Sequence, residues 1–188
     1  MAYTAIRQTH AIMARADHRT MLAQLQLPRL GALFQRRFFP VIQELLDACD
    51  SLGMLVLDEQ RLLNSSAEYQ SQFERLIRRD RNHPSVFLWS IGNEEGWIQA
   101  NSFGKRMAQT FLAIQQKLDP SRTSTYAADL GNVLTGINEV IPVRGFNYRH
   151  QSVADYHRDH PNQPIIGTEM GSTVTTRGVY TKDSIRCY

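Results

Sequence analysis

The sequence predicts an α/β fold on a parallel sheet, from three observations. Short apolar runs of strand length alternate with longer stretches of helical period, the pattern of successive βαβ units. The runs are continuous rather than alternating in polarity, as in MLVL at 54–57 and VFLW at 86–89, which is how strands buried on both faces read. No hairpin signature separates them.

The elements follow in order. Residues 5–7 form a short strand candidate carrying Arg7 and leading to His10. Residues 11–39 break the composition: Arg15, Arg19, Arg29, Arg36 and Arg37 stand against one acid, Asp17, and two helix-like pieces flank Pro28. Residues 40–53 read as a helix, with Pro40 suited to a first helical position, Leu45, Leu46, Cys49 and Leu52 on one face, and Gly53 as the stop. A buried strand at 54–59 then ends in Asp58 and Glu59, acids expected to bond neighbouring strands. A helix at 66–79 buries Phe73, Leu76 and Ile77, and the strand at 86–90 delivers Asn93 and Glu94. The helix at 102–118 stops at Asp119 and Pro120. Strands at 123–127, 143–148 and 164–168 complete the set, the last delivering Glu169.

Bulk properties narrow the class. At 188 residues the chain is long enough for one real core but short for a complete α/β barrel of about 250 residues. The net charge of +3 sits almost wholly in the 11–39 segment, and no basic stripe is interleaved with aromatics, so no nucleic-acid partner is expected. Cys49 and Cys187 are too few and too far apart for a disulfide framework or a zinc site. The first residues lack the apolar stretch of a signal peptide and no window approaches a membrane span, so the expectation is no membrane association and a cytoplasmic location by default.

The run RNHPSVFLWSIGNE at 81–94 resembles the acid/base signature of glycoside hydrolase family 2, which includes β-galactosidases and β-glucuronidases. AIRQTH at 5–10, LLDACD at 45–50, GMLVLDE at 53–59, GFNY at 145–148 and PIIGTE at 164–169 follow in the family's order. The resemblance implies a (β/α)8 TIM barrel, here incomplete, with strands two to seven present and strands one and eight missing. It also implies retaining β-glycoside hydrolysis, β-galactosidase-like, with Glu94 as acid/base and Glu169 as nucleophile. Retention needs two carboxyl groups about 5–5.5 Å apart. By the same resemblance Asn93 meets the sugar 2-hydroxyl, Tyr148 donates to Glu169, and Asn147, His10 and Arg7 lie in the substrate pocket. Trp97 is a candidate stacking face and Trp89 a packing residue. The 167–180 stretch resembles the β-galactosidase-type members more than the glucuronidases. No cofactor is expected, and no metal: some family members bind magnesium and sodium near the acid, but a full ligand set does not match here.

The chain departs from the family where His10 runs into residues 11–39, an atypical insert in a partial barrel spanning 1–188. Two missing strands leave two open edges, through which homo-oligomers could form. The rival reading is an inactive remnant, or a sugar-binding or oligomerising module.

Overall fold

The computed structural model describes residues 33–35, 43–60 and 62–169. Six strands, β1 (Leu33–Gln35), β2 (Leu55–Glu59), β3 (Val86–Asn93), β4 (Ser124–Ala128), β5 (Val143–Asn147) and β6 (Ile165–Glu169), form one sheet. Every neighbouring pair is parallel, and the spatial order is the order in the chain. A sheet that never reverses its order is part of a barrel wall, whereas a doubly wound sheet would switch direction part-way. The fold is an incomplete α/β barrel.

Among the described residues four helices accompany the strands: α1 (Gln43–Leu52), α2 (Ala67–Asp80), α3 (Ser102–Leu118) and α4 (His150–Asp159). The first three match their expected places. Gly53 adopts φ 67 directly after α1, the left-handed conformation that terminates a helix at little steric cost, and Met54 N donates back to Cys49 O at 2.9 Å. Helix α4 was not legible because only one of its residues, Tyr156, is buried, too few to print a helical period.

The strict alternation of strand and helix fails between β4 and β5, where a 3-10 turn (Gly136–Glu139) replaces the helix. Arg144 on β5 secures that segment from below. Its guanidinium donates to Gly131 O at 2.5 Å and to Asn138 Oδ1, and it lies over the rings of Phe146 and Tyr156.

The sequence reading is corrected at residues 33–35. This part of the 11–39 insert reads as helix-like, but its backbone forms β1, paired in parallel with Leu55–Leu57 of β2. An open strand edge offers a ladder of backbone partners, and three residues suffice to use it whatever their local propensity. The strand candidate at 5–7 lies outside the described residues, as does Cys187.

Two cores flank the sheet. Val56, Trp89, Ile91 and Tyr126 pack outward against Phe73 and Ile77 of α2 and Phe111 of α3. Leu57, Leu88 and Val143 form a smaller cluster on the opposite face, the barrel interior. Each such side chain contributes roughly 1.5–3 kcal/mol on burial. No helix among the described residues is long and apolar enough to cross a membrane.

The first half of the 81–94 motif belongs to the amino end of the strands. His83 Nδ1 lies 2.7 Å from Asp50 Oδ2, and Ser85 N donates to Asp50 Oδ1 at 2.9 Å, tying the end of α1 to the start of β3. Arg122 donates to Arg81 O at 2.9 Å, His83 O at 3.1 Å and Val86 O at 2.5 Å. Asp119 then accepts from Arg122 Nη1 at 2.8 Å and from the indole of Trp89 at 2.9 Å, which makes Trp89 a packing residue as expected.

Burial alone would raise the Asp119 carboxyl, but bonds from Ser121, Arg122 and Trp89 outweigh it and hold it below the usual aspartate value. A lowered carboxyl stabilises the fold above the ordinary aspartate value, and that contribution fades as pH falls through the lowered one. Replacing Asp119 by alanine strands the Trp89 and Arg122 donors and should cost about 2–4 kcal/mol. Urea midpoints at neutral pH check the loss, and midpoints taken down the acid limb should show a shallower slope for the variant.

Candidate active site

In a parallel barrel the carboxyl ends of the strands share one face. β3 ends at Asn93, β5 at Asn147 and β6 at Glu169, so three strand ends on that rim carry polar side chains, with the small Ala128 of β4 between the first two. Glu94 follows β3 at φ 52 and Tyr148 follows β5 at φ 57, the two non-glycine residues with positive φ among those described. Each such residue costs of order 1–3 kcal/mol and persists only where its surroundings over-determine it. Ladder bonds provide that constraint: Glu94 N donates to Ala127 O at 3.0 Å and Tyr148 N to Glu169 O at 2.5 Å.

Asn147 is the hub. Its Nδ2 donates toward Asn93 Oδ1 at 2.9 Å, Glu94 Oε1 at 2.5 Å and Glu169 Oε1 at 2.9 Å. The Thr168 hydroxyl lies 2.5 Å from Asn147 Oδ1 and 3.0 Å from Phe146 O, so its one proton is shared between two acceptors. An ionised carboxylate can only accept, so the nitrogen is the amide atom turned to the two carboxyl groups. Because one nitrogen touches both, the two carboxyl oxygens are separated by at most about 5.4 Å, the sum of its two distances. The second oxygen of Glu169 accepts from the Tyr148 hydroxyl at 2.5 Å, so Glu169 is held from both sides and is itself almost wholly buried.

Of the residues the sequence nominates, the fold brings Asn93, Glu94, Asn147, Tyr148 and Glu169 into one bonded group. His10 and Arg7 lie outside the described residues. Glu59 accepts from Ser90 Oγ at 3.0 Å, the structural role expected of it. Trp97 is 74% exposed and meets Phe103 edge-on, with ring centroids 6.4 Å apart.

Sequence reasoning missed Thr168, which carries no signal beside Glu169, and Glu95, which reads as one more acid at a helix start. Glu95 Oε1 accepts from Leu63 N at 2.8 Å and Asn93 N at 3.1 Å, while Glu95 N donates to the buried Tyr126 hydroxyl at 2.8 Å. Burial raises the Glu95 carboxyl above its ordinary value, and the neighbouring donors only partly offset it.

The carboxylates on this rim do not assemble a metal ligand set among the described residues, Glu95 being turned into the β2–α2 loop and Glu59 onto Ser90. The one described cluster with ligand-like spacing, Asp47, Asp50 and His83, lies at the amino end of the strands and is the hydrogen-bonded clamp already noted.

With this geometry in view, residues 63–185 match the Glycosyl hydrolases family 2, TIM barrel domain. The chain belongs to this family. It is 30% identical over 196 residues to beta-galactosidase BoGH2A of Bacteroides ovatus, covering 79% of this chain and 23% of that protein. It is 32% identical over 177 residues to the beta-glucuronidase of Canis lupus familiaris, covering 76% and 26%. The family 2 chain thus spans about a quarter of these relatives' length. Among solved structures, a putative beta-galactosidase from Bacteroides fragilis superposes with a TM-score of 0.70 at 22% identity, covering 84% of this chain and 25% of that one. A beta-glucuronidase from Bacteroides uniformis also gives 0.70, at 23% identity, covering 91% and 25%. These likenesses establish the barrel fold of this family 2 domain.

Proposed function

We propose that this family 2 barrel hydrolyses β-glycosides with retention, as a β-galactosidase-like enzyme, with Glu94 as acid/base and Glu169 as nucleophile. The observation that carries the reading is the single Asn147 nitrogen bridging both carboxyl groups, which holds their nearest oxygens within about 5.4 Å. Retaining glycosidases place the pair about 5–5.5 Å apart, whereas inverting ones leave about 6.5–9.5 Å for a water.

Glu169 attacks the anomeric carbon as the bond to the leaving oxygen breaks, and Glu94 transfers its proton to that oxygen. A water then enters, gives a proton to Glu94 and displaces Glu169, returning the sugar with its configuration unchanged. Bonds from Tyr148 and Asn147 to opposite oxygens of Glu169 suit an ionised carboxylate and fix its aim. In this reading Asn93, whose amide oxygen accepts from Asn147, meets the sugar 2-hydroxyl, a contact that strengthens as charge develops at the anomeric carbon.

The test is hydrolysis of 4-nitrophenyl β-galactoside and β-glucuronide, with the first-formed sugar followed by NMR. Faster release from the galactoside with β product is the expected result. α Product would overturn retention, and a faster glucuronide would overturn the sugar assignment. A rate equal to that of the Glu169→Gln chain would overturn the enzyme reading for this chain.

A further inference from the structure

Glu94 sits in a left-handed conformation at the end of a strand, held on the β4 side by its ladder bond to Ala127 O. The ladder between β3 and β4 is irregular at this point, shifting register between Ser90 and Asn93. β2 is last paired at Glu59 opposite Ser90, three residues short of the Asn93 N–H donor. That donor goes instead to Glu95 Oε1, which also accepts Leu63 N from the loop after β2. One carboxyl oxygen therefore joins two segments of chain directly behind the Asn93–Glu94 peptide.

The seat for this carboxyl is built by Gly92. A Cβ there would lie 2.6 Å from Glu95 Oε1 and 2.9 Å from Leu63 Cβ, so any side chain would expel the carboxyl or the loop. The backbone of Glu95 is held as well, its N–H donating to Tyr126, whose side chain is fully buried on β4. The Tyr126 side chain also bonds the Glu95 carboxyl, so both the backbone and the side chain of Glu95 are tied to β4.

We propose that Glu95 is a positioning residue: its carboxyl cross-links Asn93 N to Leu63 N and so fixes the direction in which Asn93 and Glu94 present their side chains. The proposal rests on the reading of Glu94 as the proton donor. It makes Glu95 matter in proportion to how much a substrate needs that proton.

The experiment compares the full chain with its Glu95→Ala and Glu95→Gln variants on phenyl and 2,4-dinitrophenyl β-galactoside. Phenolate is a poor leaving group that needs protonation, and dinitrophenolate is not. Glu95→Ala should slow the phenyl glycoside about 10- to 100-fold and the dinitrophenyl glycoside no more than about threefold. Glu95→Gln keeps an acceptor at Oε1 and should recover most of the loss. Equal losses on both substrates would reduce Glu95 to a structural residue and overturn the proposal.

Amide hydrogen exchange supplies a readout independent of turnover. In Glu95→Ala the Asn93 and Leu63 amides should exchange about tenfold faster or more while those of β4 and β5 are unchanged. Unchanged Asn93 and Leu63 amides would overturn the proposal. Inactivity of the unaltered chain together with the expected exchange pattern would instead count against the proposed function and leave the cross-link standing. If Glu95→Ala does not fold, Glu95→Gln against Gly92→Ala makes the same comparison, the glycine variant displacing the carboxyl without removing it.

Discussion

Replacing Glu169 by glutamine should lower kcat toward an aryl β-galactoside by about four to six orders of magnitude, as loss of a covalent nucleophile does. The amide has nearly the same shape, so Asn147 and Tyr148 keep a neighbour, and far-ultraviolet dichroism should not change. What disappears is the electron pair that attacks the anomeric carbon. The Glu169→Ala chain opens a space that azide can enter, and azide attack with Glu94 intact would give the α-glycosyl azide. Detecting that product by NMR would assign the nucleophile, while a β-glycosyl azide would reverse the roles of the two carboxyl groups.

Replacing Asn147 by alanine should lower kcat/KM by about 10²- to 10³-fold, comparable to removing one preorganised donor from an active site. The effect is large because one nitrogen serves Asn93, Glu94 and Glu169 together. Without it the two carboxyl groups lose their shared donor and Asn93 loses its orientation. Asn147→Asp, almost the same size, should be worse, since it sets a third carboxyl between two others. Steady-state kinetics on 4-nitrophenyl β-galactoside decides this, and an alanine variant within about threefold of the parent would sink the hub assignment.

Most of the wall was legible because it is built from runs that satisfy one rule each. Val86, Leu88 and Ile91 announce a strand buried on both faces, and Phe73, Ile77 and Phe111 announce helix faces that need a sheet. Helix α4 was not, because Tyr156 alone faces inward, and neither was β1, because an edge ladder selects backbone rather than side chains. Glu94, Glu169, Asn93, Asn147 and Tyr148 could be nominated as individuals by position at strand ends and by resemblance to a family. Their connections could not, since Asn147 and Glu94 are 53 positions apart and only the closing of three adjacent strands brings them to 2.5 Å.

Glu95 shows the limit most plainly. Beside Glu94 it is an identical side chain one position on; the motif at 81–94 singles out Glu94, and nothing in the sequence says that Glu95 turns back to bond Asn93 N and Leu63 N. The sequence by itself determined the parallel architecture and the chemical inventory of the rim, because burial periodicity and residue type are local properties. Only the tertiary structure decided that the Glu95 carboxyl turns back onto Asn93 N and Leu63 N. That placement depends on a register shift in β3, a left-handed turn at Glu94 and an Asn93 N–H that donates to the Glu95 carboxyl.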